Sequence, residues 1–315
     1  MTTSLRNNLQ ESLGISEYQL NRLILRAPHS YKVYSIPKRS GGHRTIAQPA
    51  KETKFIQRWL IQHVFTELPV HECASAYKDG ASIKMNAIAH RGNSYITKLD
   101  FKDFFPSIKF SDLVKHISKY LSDKLDAQDV QDIARISCIR LKGTDDLCLS
   151  IGAPSSPMLS NTVMYEFDTQ VATWSAANGI TYTRYADDLT FSSNVKGISS
   201  SIEPFIQNIA RTLDYPSLIL NNKKTTHVSK KFQRRITGII INNEGNISLG
   251  RDKKREISSL IHRYSIGILP AHEVFRLQGL LGFAKDVEPL FVARMRGKYK
   301  SSLIEAILLT RKSVA

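Results

Sequence analysis

Two adjacent aspartates, Asp187 and Asp188, interrupt the run GITYTRYADDLTFSS between Gly179 and Ser193. The residues on either side alternate and are rich in Thr, Tyr and Phe, so the run reads as two strands joined by a turn centred on the acids. Neighbouring carboxylates repel, and burying either is costly unless something positive compensates. Any fold for this chain must bring that positive partner to the turn.

The surrounding elements indicate what it is. SYITKLDF, Ser94 to Phe101, reads as a strand. SDLVKHISKYL follows as a helix, with Ser111 as cap and Leu113, Ile117 and Leu121 four apart. SPMLSNTVMYEFDTQVATW, from Ser156, reads as one helix. Ser156 is its expected cap, Pro157 suits its first turn, and Asn178-Gly179 ends it. Its buried face carries Leu159, Val163, Phe167 and Val171. Beyond the hairpin, IEPFIQNIARTL is a helix and SLILNN a further strand. This order is the split β-α-β-β-α-β pattern, in which the first strand lies beside the central hairpin. Its end carries Asp100, so three carboxylates converge on one spot. Three anions at close range require divalent cations. Hard oxygen ligands with few dedicated protein groups suit Mg2+, and two such ions clamp the attacking and leaving oxygens of phosphoryl transfer.

Upstream, SEYQLNRLILRAP is expected to be a helix capped by Ser16 and stopped at Pro28. YKVYSIPKRSGGHRTIAQP reads as two strands about a tip at Gly41-Gly42. A helix from about Lys54 to Thr66 places Phe55, Ile56, Trp59 and Leu60 at helical spacing. After about residue 245 the chain turns basic and helical. Over its 315 residues, 44 Lys and Arg outweigh 28 Asp and Glu, a net charge of +16 that favours a polyanionic partner. No apolar run reaches membrane-spanning length, and the first residues lack a secretory signal. Cys73, Cys138 and Cys148 are scattered and read as reduced thiols. These features predict a cytoplasmic protein with no membrane partner.

The motifs resemble those of reverse transcriptases. YADD resembles motif C, LDFKDFFPSI (Leu99 to Ile108) motif A, GAPSSPMLSN (Gly152 to Asn161) motif B, and NNKKT (Asn221 to Thr225) motif D. More narrowly, NAIAH (Asn86 to His90) and ITG (Ile236 to Gly238) are similar to elements of retron reverse transcriptases. The similarity runs from about Tyr34 to Tyr299. It implies an α+β, right-hand polymerase fold. Fingers would span residues 1–92 with a returning segment at about 110–150. A split β-α-β-β-α-β palm would span 93–240, and a basic, mainly helical thumb 241–315.

The resemblance also implies roles. Asp100, Asp187, Asp188 and the backbone of Phe101 would bind two Mg2+ ions, and Lys224 would protonate the leaving pyrophosphate. Lys38 and Arg44 would meet the triphosphate of an incoming dNTP. Phe105 would be a steric gate against a ribose 2′-OH, with Phe104 on the other side of a strand. Gly152 and Ala153 would allow close approach of the nucleotide. Ile151 stands where the family usually has Gln. RNA contacts are expected at Asn86, His90, Lys230, Lys231, Arg234, Arg235, Thr237, Gly238, Arg251, Lys253, Lys254 and Arg255. The template-primer would be a cognate structured non-coding RNA, and the product a branched RNA–DNA hybrid (msDNA) that stays bound. An effector protein and a role in anti-phage defence complete the expectation. The alternatives are another bacterial reverse transcriptase class, including template-independent defence polymerases, a non-catalytic RNA-binding scaffold, and an rNTP-using RNA polymerase. Phe105 and the intact acids argue against the last two.

Overall fold

The computed structural model describes residues 5–38 and 41–311. Along the chain, α1 (Leu5–Leu13) and α2 (Glu17–Arg26) precede the hairpin β1 (Tyr31–Pro37) and β2 (His43–Pro49). Then come α3 (Lys51–His63), α4 (Ile83–Ala89), β3 (Tyr95–Asp100), a single turn α5 (Phe104–Ser107), α6 (Phe110–Leu121) and α7 (Ala127–Ser137). A small hairpin, β4 (Ile139–Arg140) and β5 (Leu147–Cys148), leads to α8 (Ser156–Val163) and α9 (Tyr165–Ala177). The acid-bearing hairpin is β6 (Thr181–Tyr185) and β7 (Asp188–Ser193), followed by α10 (Ser199–Thr212) and β8 (Thr226–Ser229). Strands β9 (Arg234–Ile236), β10 (Ile239–Ile241) and β11 (Ile247–Ser248) form a second sheet. Four helices close the chain: α11 (Arg251–Ser265), α12 (Ala271–Val287), α13 (Pro289–Tyr299) and α14 (Ser301–Leu309).

The central sheet has the order β6-β7-β3-β8, so the strand ending at Asp100 neighbours the acid-bearing hairpin. Two compact units emerge. The first takes residues up to 80, then 97–191 and 197–226; the second takes 81–96, 192–196 and 227 onward. In the first, Leu99, Phe101, Phe104, Phe167, Leu189 and Phe191 belong to one continuous core. Phe101 meets Phe167 edge to face, with ring centroids 5.5 Å apart. In the second, Ile236, Ile239, Ile241, Ile257, Leu277 and Phe291 share a separate core.

Local chemistry explains several boundaries. Ser16 caps α2 in a reciprocal box, since its Oγ accepts from Gln19 N while Gln19 Oε1 accepts from Ser16 N. Gly179, at φ +63, lets the chain leave α9. Thr237 and Gly238 (φ +45 and +90) form the two-residue turn that pairs Ile236 with Ile239. Positive φ at both positions is what a right-twisted hairpin needs, though it is unusual for a β-branched Thr.

Other boundaries correct the sequence reading. Ser111 does not cap α6, which starts one residue earlier; Asp112 instead accepts from Lys109 N at 2.8 Å. The helix expected from Ser156 is two helices meeting at Met164, and Ser156 Oγ accepts from Ser150 N rather than capping. The hydroxyls of Ser160 and Thr162 bond back to Pro157 O and Leu159 O, a pattern that bends helices. The third helix starts at Lys51, and Phe55 lies outside, 49% exposed. SLILNN is not a full strand; it makes a single antiparallel bridge, Leu220 to Phe101, through Lys102 N to Ile219 O and Asn221 N to Asp100 O, and β8 takes the sheet edge.

In the second unit His90 is fully buried, its Nδ1 2.7 Å from Ser192 Oγ. That hydroxyl also accepts from Asn93 Nδ2 at 2.7 Å, so its own proton is available to His90. Burial pushes the imidazole pKa down to about 3. The folded protein therefore holds His90 neutral while the unfolded chain protonates it below about pH 6.5. Its contribution to stability is complete above that pH and drains away as pH falls toward 3. A His90→Gln variant is expected to lose less Tm between pH 7 and pH 5 than the wild type. Equal losses in the two melts would refute this.

Candidate active site

Asp100 ends β3 and is 5% exposed. Just beyond it, Phe101 N donates to Asp187 O at 3.3 Å, which ties the strand end to the hairpin turn. That turn needs Ala186 in the left-handed region, at φ +57, and Asp188 is the first residue of β7. Of the three acids named from the sequence, Asp100 thus comes from β3, Asp188 from the neighbouring β7 and Asp187 from the turn just before it.

Their electrostatics are unbalanced. Burial, followed by the charges of Asp187 and Asp100 and a hydrogen bond with Asp100, pushes the Asp188 carboxyl up to about 6, with Lys98 opposing. Burial and Asp100 also raise Asp187, while Lys224 and Arg44 pull it back. Lys224 Nζ lies 2.8 Å from both Asp100 oxygens. Burial would lower this ammonium, but the Asp100 hydrogen bond and the surrounding carboxylates outweigh it and hold it above its ordinary value. Asn221 Nδ2 adds a 3.4 Å contact to Asp100 Oδ1. Three hard oxygen donors, repelling one another and offset mainly by a single ammonium, fit a hard divalent cation. Among the described residues no ready-made cage of three His, Cys, Asp or Glu side chains exists. The Asp100 carboxylate, besides its hydrogen bond with Asp188, is met by Lys224 and Asn221.

The second hairpin strand supplies the neighbouring wall. Arg44 is exposed on β2, and its charge reaches Asp187 and Tyr77; Lys38 is exposed at the end of β1. Gly152 adopts φ +120, and a Cβ there would stand 2.9 Å from Ala47 O and Ile46 Cγ2. Only glycine accepts both the dihedral and the contact. Ile151 O accepts from Ala47 N at 2.8 Å, so this position holds the hairpin through its backbone. Ala153 is buried. Phe105 is half-buried on α5, after Asp103 at φ +48. The segment is a helical turn rather than the expected strand. Phe104 is core, with its ring 5.5 Å from that of Phe105.

The expected RNA contacts divide by burial. Asn86, His90 and Arg234 are buried, so their side chains serve the fold rather than a surface on which RNA could lie. Arg234 spends its guanidinium on the carbonyls of Asn93 and Asn242. Lys230, Lys231, Arg235, Gly238, Arg251 and Arg255 are exposed. Thr237 is partly buried and donates to Ile83 O at 3.3 Å. Lys253 pairs with Glu256 at 2.8 Å and Lys254 with Glu288 at 2.6 Å. Sequence reasoning missed Arg184, Asp168 and Asn161, which form a buried polar group behind the turn. The available signal was an Arg at an inward position of an apolar strand, two residues from Tyr182.

The family described as reverse transcriptase (RNA-dependent DNA polymerase) matches residues 36–241. The chain is 38% identical to the retron Ec83 reverse transcriptase of Escherichia coli over 281 residues, 88% of this chain and 89% of that protein. It is 35% identical to the retron Ec73 reverse transcriptase of the same organism over 88% of this chain and 89% of that one. A third relative, the retron Mx162 reverse transcriptase of Myxococcus xanthus, is 31% identical over 88% of this chain and 62% of its own length. No described helix is long and apolar enough to cross a membrane. With matched motifs spanning most of its length, the chain belongs to the retron-type reverse transcriptases, RNA-directed DNA polymerases of the α+β, right-hand polymerase fold.

Proposed function

We propose that the protein copies a cognate, structured non-coding RNA into DNA from dNTPs with two Mg2+ ions and leaves a branched RNA–DNA product. The observation that carries this reading is that Asp100, Asp187 and Asp188 feel one another's charge beside Lys224, in a chain 38% identical to a retron reverse transcriptase. Mg2+, when bound, would activate the attacking hydroxyl and neutralise charge on the triphosphate. The three carboxylates and the Phe101 carbonyl are the groups that would hold that metal. Lys224, kept protonated by its acid neighbours, is a proton donor for the leaving pyrophosphate. Arg44, with Lys38, meets the triphosphate, and Arg suits this because its fork matches phosphate oxygens. Gly152, exposed in its loop, is assigned to nucleotide contact together with the adjoining Ala153 backbone. Phe105 blocks a ribose 2′-OH.

The fingers are assigned to residues 1–92 with a return at about 110–150, the palm to 93–240 and the thumb to 241–315. RNA lies along Lys230, Lys231, Arg235, Arg251 and Arg255, near the Thr237-Gly238 turn, through phosphate contacts that give affinity without sequence choice. Lys253 and Lys254, being paired to acids, contribute less. The system acts in the cytoplasm with an effector protein in defence against phage.

The deciding experiment purifies the protein and sequences the nucleic acid that comes with it. A branched RNA–DNA hybrid is expected with wild type, and RNA without DNA with Asp187→Asn; EDTA should stop synthesis and Mg2+ restore it. DNA lacking any RNA branch would instead favour another reverse transcriptase class or a template-independent polymerase. Replacing Phe105 by Ala should admit rNTPs, raising their incorporation relative to dNTPs by about 10-fold or more; unchanged sugar discrimination would remove the gate. For RNA binding, a Lys230→Ala/Lys231→Ala protein should flatten the slope of log affinity against log salt by about 2. A slope equal to wild type would take those residues off the RNA path.

A further inference from the structure

Behind the candidate catalytic turn lies a buried charged group that the proposed chemistry does not use. Arg184 and Asp168 are both fully buried. Arg184 Nε donates to the two Asp168 oxygens at 2.9 and 3.0 Å, and Nη2 donates to Oδ2 at 2.6 Å. Tyr182 adds its hydroxyl to Oδ1 at 2.9 Å. This ion pair anchors one edge of the guanidinium. The remaining nitrogen, Nη1, donates to Asn161 Oδ1 at 3.1 Å and to Ala186 O at 3.2 Å. Asn161 in turn donates Nδ2 to Ala76 O at 2.7 Å.

Two backbone carbonyls are thereby gripped, and both adjoin unusual backbone. Ala186 and Tyr77 each sit at φ +57, a region that non-glycine residues keep only when their surroundings over-determine it. The backbone of Arg184 makes the same link, accepting from Ser75 N at 2.8 Å and donating to Cys73 O at 3.0 Å. One residue thus ties the turn before Asp187 to the segment carrying Tyr77. Tyr77 is 46% exposed, its ring centroid is 6.5 Å from that of Tyr185, and its phenol feels the charge of Asp187.

We propose that Arg184 and Asn161 are positioning residues: anchored on Asp168, they clamp the carbonyls of Ala186 and Ala76 and so fix the aim of Asp187 and the placement of Tyr77 beside it. The proposal rests on the reading of Asp187 as a metal-holding residue. A guanidinium is required because its planar fork spans three acceptors at once. An ammonium can keep the ion pair but cannot hold all three in that geometry. Stability alone does not account for the group, because a buried ion pair is often matched by apolar side chains of similar volume.

The test compares Arg184→Lys, Asn161→Ala and Asp187→Asn with wild type, using dNTP incorporation on a primed RNA template, affinity for that template and thermal melting. Arg184→Lys is expected to fold and bind the template within about twofold of wild type, with the dNTP KM equally little changed. Its kcat should fall about 10- to 100-fold, as for other residues that orient a metal-holding group. Asn161→Ala should lose kcat in the same way but less. Wild-type kcat in Arg184→Lys overturns the clamp. If that variant does not fold, Asn161→Ala decides by the same measure. A loss of kcat that only tracks loss of folded protein or of template binding also overturns it, leaving a core ion pair. Full activity in Asp187→Asn would sink the underlying reading of the turn, a separate result.

Discussion

Two opposite charges removed from water at Arg184 and Asp168 set the terms for the first unit. Each costs several kcal/mol to desolvate, and their attraction offsets this only when geometry is good and the remaining donors are satisfied. The requirement is met by side chains from separate elements: Asp168 from α9, Asn161 from α8, Tyr182 and Arg184 from β6. Segment 73–76 completes the set through its backbone. A register slip of one residue in β6 would turn Arg184 and Tyr182 to the opposite face and leave Asp168 buried without a partner. Strand register is thereby specified more strictly than an apolar face alone would specify it. The turn that follows inherits that precision.

In front of the turn the balance is reversed. The group behind it is electrically complete, whereas the three acids are crowded, with Asp187 and Asp188 both raised from their ordinary values by burial and by their acid neighbours. Lys224 compensates for Asp100, and it does so from a segment held to β3 by the backbone bond from Asn221 to Asp100. A rigid, satisfied layer supporting an unsatisfied one is the arrangement expected where binding energy is reserved for a ligand.

The acid pair was legible because an apolar context isolates it, and Asp100 because the order of elements predicts which strand lies beside the hairpin. Those are properties of pattern and topology, and the β6-β7-β3 neighbourhood has the expected form. Pattern failed where the decisive partner is distant in sequence. Nothing near Ser111 or Ser156 indicates that Asp112 and the Ser150 amide take over their hydrogen bonding. SLILNN has the composition of a strand, yet it makes only one bridge, just past the end of β3, while β8 pairs with the sheet. Counting basic residues likewise could not separate Arg234, whose guanidinium serves two backbone carbonyls, from its exposed neighbour Arg235. Arg184 was hidden for the same reason, since its counter-ion lies sixteen positions away on a helix.

Ile151 carries a consequence of its own. Its structural duty is discharged by a carbonyl that any amino acid possesses, whereas the next residue must be glycine for lack of space. Neighbouring positions in one loop are therefore under opposite physical constraints. One is fixed by sterics; the other is tied to the hairpin through its main chain, whatever its side chain. A replacement at Ile151 that keeps the bond to Ala47 N would change the side chain offered by this loop and leave the hairpin anchored.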